Sequence, residues 1–339
     1  ELDTGTPEAA IALPLPRPPS LGDFAIATSP DGRWAYVVTT VGGTAPPSRP
    51  AGPTTASSTA PSSTTSPGAA GDSEVIPIDL VAQRAGRPIP LPGPGGTHAV
   101  VVLPGGRTVL TGDGTTIVPI DTHSRRVGAP IDLGAGHTVY GMALAPDGTT
   151  LYALVPGGVF AVDTADASAG PEIPTGLAIS SVYSPHGIAV TGDGATIYVA
   201  GQGGTDFGGR VLPIVAATRA LLPPAGFDRY GIADPAALAV AADGSSVQVV
   251  DNANNWINSV DAATFADPPP PIRLPQRPGT SSASGTQHPT DIVLGPGGTG
   301  AFIVVGFTSV IPYRPATQTF GRPVTVCSGA SSMAVAPSP

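Results

Sequence analysis

Histidine, carboxylate and amide side chains are sparse in this sequence, so their spacing is informative. Of five histidines, His98 and His186 hold the same place relative to a recurring turn, seven residues before its central position. Counting along the turns, that place is filled by Phe24, His98, Tyr140, His186, Ala236, Thr290 and Ser331. Two imidazoles and a phenol in consecutive repeats could hold a ligand, with protonation near the ordinary imidazole pKa of ~6.5. His137 and His288 lie just upstream of the same place. The competing reading is an apolar-face histidine bonded to backbone in the core, and it carries slightly more weight. A second set comprises Gln202, Asp206, Asp251, Asn252, Asn254 and Asn255, with Asp234 and Asp291 near two further repeat starts. Oxygen ligands of this kind suit Ca²⁺, but no EF-hand spacing is present, and polar turns account for Asn252 to Asn255 more simply. No metal site is expected.

Several chemistries are excluded. All 15 basic residues are arginine, so Schiff-base lysines, phosphate-loop lysines and lysine bases are impossible. Gly-x-Ser-x-Gly and His-Glu-x-x-His are absent. His186 with Asp234 is the one acid–base pair to name for hydrolysis, and no residue is assigned a catalytic role. The single cysteine, Cys327, permits no internal disulfide and reads as a small buried apolar residue. Net charge is −9 without a long basic run, which disfavours nucleic acid. No apolar run reaches the ~18 residues of a membrane span.

The elements that must position these residues repeat. Turns read S-P-D-G at 29–32, L-P-G-G at 103–106, A-P-D-G at 145–148, T-G-D-G at 191–194, A-A-D-G at 241–244 and G-P-G-G at 295–298. A-P-S-P at 336–339 is the seventh. A small apolar run precedes each turn and another follows it in the first six. A third run ends in Asp at Asp79, Asp121, Asp163 and Asp261, with Val215 and Arg314 as departures. The spacings are 74, 42, 46, 50, 54 and 41. A 30-residue insertion at 44–73, almost all Pro, Ser, Thr, Ala and Gly, inflates the first. A period of ~40–50 residues with several short strands is that of a propeller blade. Gly and Pro, 45 and 42 in number, then serve as turn punctuation.

The expected fold is all-β: one domain over 1–339, a seven-bladed β-propeller of four-stranded blades. The segment 10–15 is expected in the same blade as 330–336, closing the ring. Pro77, Pro119, Pro213 and Pro312 recur within third strands, where they cannot donate to a ladder; a repeated bulge is the expected remedy. The insertion cannot form a core and is expected to lack regular structure, as a linker or an O-glycosylated segment.

Y-V-V-T-T at 36–40, I-Y-V-A-G at 197–201, S-P-D-G at 29–32 and I-D-T at 120–122 resemble the motifs of the YVTN family of seven-bladed propellers, close to the lactonase-like propellers. The resemblance spans the chain outside the insertion. It implies an exported protein, extracellular or in the cell envelope, whose export signal has been removed. The leading expectation is a non-enzymatic module, acting as a monomer without cofactor. It would bind a small molecule or protein at the channel mouth through Phe24, His98, Tyr140, His186, Gln202, Asp234, Asp251 and Asp291. The alternative is a lactonase-like hydrolase or isomerase with a histidine there.

Overall fold

A computed structural model describes residues 11–13, 24–41, 72–93, 96, 99–178, 187–203, 208–223, 231–241, 243–262, 270–275, 288–295, 300–306, 308–326 and 332–335. Each apolar run around a turn forms antiparallel strands, because alternate residues face opposite neighbours and both faces are covered. Six sheets result, each with strands running outward in sequence order. Blade one is Phe24–Thr28, Trp34–Val41 and Asp72–Asp79, with Arg84–Ala85 and Ile89–Pro90 outermost. Blade two is Val100–Val102, Thr108–Asp113, Thr116–Asp121 and Ile131–Asp132. Blade three is Gly141–Leu144, Thr150–Val155, Gly158–Asp163 and Ser168–Pro174. Blade four is Ile188–Val190, Thr196–Gly203, Gly209–Val215 and Ala220–Leu221, with Leu177–Ala178 added beside its second strand. Blade five is Pro235–Val240, Ser246–Asp251, Trp256–Asp261 and Ile272–Arg273. Blade six is Pro289–Leu294, Ala301–Val305, Ser309–Arg314 and Thr319–Phe320, with Val324–Thr325. Innermost strands of successive blades touch. The core lies between blades: Tyr36 and Val38 of blade one, for example, pack with Val102, Val109 and Ile120 of blade two.

The fold is therefore a β-propeller of four-stranded antiparallel blades, and the described residues form six blades instead of the expected seven. Of the N-terminal match and the run before the seventh turn, only 11–13 and 332–335 are among the described residues. Residues 11–13 and 332–335 have no strand assignment. Ile11 and Leu13 pack on Ala35, Val37 and Ile78 of blade one. The Met333 N–H donates to Asp291 Oδ2 of blade six at 2.8 Å, and Thr28 Oγ1 of blade one donates to the Val335 carbonyl at 3.1 Å. A blade needs a central pair of strands, and the described residues 11–13 and 332–335 supply none; they lie on the flanks of blades one and six.

Turn aspartates act on their own backbone. Asp31, Asp147, Asp193 and Asp243 each accept the N–H two residues on, at 2.9–3.0 Å. The following Gly takes a positive φ, 66° at Gly32 and 73° at Gly148, where a side chain would be strained. Asp79, Asp121 and Asp163 cap the next hairpin in the same way, each accepting the two N–H groups at i+2 and i+3. The hydroxyls of Ser29, Thr191 and Ser245, with the turn N–H groups, hold the carboxyls of Asp31, Asp193 and Asp243 below the usual carboxylate range; the Ser124 N–H and then Arg107 do so at Asp121, and the Thr149 N–H and hydroxyl at Asp147. A folded-state pKa below the unfolded value of ~3.9 adds stability above that pH and loses it as pH falls further. Thermal unfolding is expected to give a flat Tm from pH 7 to 5 and a falling one below about pH 4. A Tm unchanged at pH 3 would contradict this.

The recurring proline is explained by a bulge. In blade three the register shifts between Phe160 and Val162, where Gly170 and Pro171 stand opposite Ala161. The outer strand carries the same extra residue opposite Pro77, Pro119 and Pro312. The proline carbonyl still accepts from Gly86, Gly128 and Gly321 at 2.7–2.8 Å, while the missing donor faces the detour.

The insertion begins and ends within one hairpin, Trp34–Val41 to Asp72–Asp79. Its last two residues, Asp72 and Ser73, belong to the strand, which corrects the expected boundary; residues 42–71 lie outside the described residues. The added ladder pairs Val41 with Asp72 and Thr40 with Ser73. Replacing 44–71 with a short turn is expected to shift Tm by less than about 3 °C, because closure entropy depends weakly on length. Loss of soluble protein would refute the expectation. Among the described residues no helix is long and apolar enough to cross a membrane.

Candidate functional site

The rim where innermost strands begin also carries the turns joining second to third strands. Blades five and six build its most ordered polar cluster. Ser246–Asp251 turns into Trp256–Asp261 through Asn252, Ala253, Asn254 and Asn255. Asp251 is fully buried. It accepts the N–H groups of Ala233, Asp234 and Asn254 at 3.0–3.3 Å and the Asn254 side-chain amide at 2.8 Å. This carboxylate therefore pins the start of blade five's inner strand to the turn. The Asn252 N–H donates to the Asp234 carbonyl at 2.9 Å.

That turn then holds a histidine of the next blade. Asn255 Oδ1 accepts the His288 N–H at 2.9 Å, and Asn252 Oδ1 meets His288 Nδ1 at 3.0 Å. The Asn252 amide nitrogen is directed at the Pro289 carbonyl, 3.3 Å away. Its oxygen is therefore the atom facing the imidazole, and an amide oxygen only accepts. Nδ1 accordingly carries the proton, and in the neutral ring Nε2 carries the lone pair. His288 is exposed and has a φ of 41°, an unusual backbone state for a non-glycine residue and one that clusters at functional sites. Asn252 is only 5% exposed, so the orienting group is fixed.

A second imidazole occupies the same rim between blades two and three. His137 Nδ1 donates to the Leu133 carbonyl at 2.8 Å. Its ring meets Phe160 edge-on with centroids 5.1 Å apart, and Nε2 lies 3.6 Å from Glu172 Oε2. Both rings are thus oriented through Nδ1, and His137 Nε2 is turned towards Glu172. Among the described residues no three His, Cys, Asp or Glu side chains gather as a metal ion would require.

The other expected site residues are placed as follows. His98, His186, Asp206, Cys327 and Ser331 lie outside the described residues. Phe24 opens blade one's first strand, opposite Thr39. Tyr140 is half-buried just before blade three's first strand, with its N–H on the Leu154 carbonyl at 2.9 Å. At the same repeat place Ala236 and Thr290 are buried. Gln202 is half-buried between Ala178 and Gly209 in the blade-four sheet. Asp234 is half-buried and contributes its backbone to the Asp251 network. Asp291 is fully buried and receives the Met333 N–H. The structure thus joins Asp234, Asp251, Asn252, Asn254, Asn255 and His288 into one unit. Sequence reasoning noted most of these residues but missed the Asn252–His288 pairing, which spans 36 positions.

Comparison with solved structures agrees on the fold. The chain is similar to hydrazine synthase of Kuenenia stuttgartiensis, with 15% identity, a TM-score of 0.67, and coverage of 97% of this chain and 94% of that one. It is also similar to the Cps50 (Swd1) β-propeller domain of Myceliophteria thermophila, with 12% identity, a TM-score of 0.60 and coverage of 94% and 91%. The shared feature is the propeller. At such identities the likeness shows the fold alone. No protein-family profile matches the chain, so the YVTN assignment gains no support, and no curated protein matches it.

Proposed function

We propose that this chain is an exported or cell-surface propeller that binds a small molecule or a protein on the rim where its inner strands begin. The observation carrying this reading is the His288 imidazole, held by Asn252 in one tautomer. The Asn252 amide fixes the ring and the Asn255 amide fixes the His288 backbone N–H, both from the adjacent blade, and such preorganisation lowers the entropic cost of engaging a partner. Asp234 belongs to the same network, and His137, Tyr140 and Gln202 lie along the same rim on other blades. The test is a thermal-shift screen of metabolites and peptides on the wild type and on His288→Ala. A ligand at 100 times its Kd stabilises by about 2.7 kcal/mol. Its shift should vanish in His288→Ala, whose own Tm should stay within about 2 °C of wild type. Hits that shift both proteins equally would place the binding surface elsewhere.

The second reading, a lactonase-like hydrolase, draws on the same tautomer. An imidazole whose Nδ1–H is held and whose Nε2 accepts is set up as a general base. Here Asn252→Leu is the informative variant. Hydrolysis of chromogenic lactones at least ten times above background, lost in Asn252→Leu, would select this reading. Binding without turnover would select the first.

A further inference from the structure

The opposite rim carries a charge asymmetry that the linear sequence conceals. Arg33, Arg84, Arg87, Arg107, Arg125 and Arg126 are all exposed on the turn rim or the adjoining outer strand of blades one and two. Asp31, Asp79 and Asp121 are the aspartates of those turns. On the same rim of blades three to five, among the described residues, Asp147, Asp163, Asp166, Asp193, Asp243 and Asp261 stand with Arg219, while blade six carries Arg314 and Arg322. In a chain of net charge −9, six of the eleven arginines among the described residues thus lie on two neighbouring blades.

Between those blades lies a cleft of about 590 Å³. Its floor is the apolar edge of the shared core, with Val75, Ile89 and Ile120. Trp34 and Tyr36 line it from blade one, and Arg107, His123 and Arg125 from blade two. The Arg33 guanidinium sits 6.0 Å from the Trp34 ring centroid. Arg107 Nε is bonded to Asp121 Oδ2 at 3.0 Å, yet its side chain is 76% exposed. Arg125 reaches across the junction to the Arg87 carbonyl. Asp121 is occupied by Arg107 and by the N–H groups of its own turn, and Asp31 by Ser29 and Arg33.

We propose that this cleft is a binding site for a small amphipathic anion, a carboxylate carried on a flat apolar ring. The ring would lie on the Trp34–Ile89 floor and the carboxylate would meet the guanidinium of Arg107, with Arg125 adding positive potential. Arginine's planar donor fork suits a carboxylate. Predominantly apolar lining with few placed polar groups is the usual anatomy of a small-ligand pocket. The site is distinct from the inner-strand rim, so it stands or falls separately from the reading above.

The experiment titrates the full chain with naphthalene-2-carboxylate, neutral naphthalene-2-methanol and inorganic phosphate by calorimetry at low salt. The ring carboxylate should bind at least tenfold tighter than either control. That preference should shrink about tenfold in Arg107→Gln and weaken at high salt. In ¹H–¹⁵N spectra the indole signal of Trp34 should move and that of Trp256 should not; Trp256→Phe assigns the two. This spectral reading leaves the arginines untouched and holds even where Arg107→Gln perturbs the fold. No binding, undiminished binding in a folded Arg107→Gln, phosphate binding as tight as the ring carboxylate, or an unmoved Trp34 signal would each overturn the proposal. Binding of an acidic peptide alone would also overturn it in favour of a protein-docking surface.

Discussion

Asp251→Ala is expected to lower the unfolding free energy by about 3–5 kcal/mol, the range for breaking a buried network around a charged acceptor. The carboxylate is fully buried and accepts from three backbone N–H groups and one side-chain amide. Alanine would leave those donors without an acceptor inside the protein, where water does not readily replace it. Asp251→Asn keeps the size and one oxygen. It should cost about half as much, because the new amide nitrogen cannot accept from Ala233 or Asn254. Urea unfolding of the three proteins checks the order. The loss should also reach the site, because the turn that Asp251 anchors carries Asn252 and Asn255. A drop below 1 kcal/mol for Asp251→Ala would show that the network is not what joins blade five's inner strand to its turn.

Gly128→Val is the second large effect, at about 2–3 kcal/mol. Gly128 occupies the bulge of blade two's outer strand, against Pro119. A Cβ there would lie 2.9 Å from Pro119 Cγ and 3.4 Å from the Pro119 carbonyl oxygen, and valine adds two methyl groups beyond it. The Gly128 N–H also bonds that carbonyl at 2.8 Å, so pushing the strands apart breaks the ladder as well. Gly105→Ala is the matched control. A Cβ at Gly105 meets nothing within 4 Å, and the change should stay within ±0.5 kcal/mol. Equal costs at both positions would contradict the packing account of the proline–glycine pair.

The legible part of the fold was the local part. The Asp–Gly turns declare themselves because their chemistry is contained in four residues: an acceptor for the N–H two positions on, then a glycine at positive φ. The third-strand aspartates do likewise. The prolines pointed to a bulge because a missing donor must face an interruption. The blade number was not legible, because counting turns does not count ladders. The A-P-S-P motif at 336–339 reads as the turn of a seventh blade, but residues 332–335 before it form no strand; Met333 donates to Asp291 and Val335 accepts from Thr28.

The site was legible in composition and hidden in geometry. Asp251 and Asp291 read as polar rim groups, but strand parity does not reveal that both are buried and committed to backbone donors. Asn252 and Asn255 read as turn residues. They are that, and they also reach the next blade, because each second-to-third-strand turn lies beside the following inner strand. The clustering of arginines on blades one and two was invisible for the same reason: Arg33, Arg87, Arg107 and Arg125 are separated by tens of residues and joined only by the ring.

The central claim is that blade five fixes the His288 imidazole on the rim with its proton on Nδ1. Long-range ¹H–¹⁵N correlation spectra of the imidazole rings at neutral pH test it directly, with His288→Gln used to assign the signal. The account predicts an Nδ1–H ring in the wild type and loss of that single tautomer in Asn252→Ala. A wild-type His288 protonated on Nε2, or a spectrum indifferent to the loss of Asn252, would contradict it.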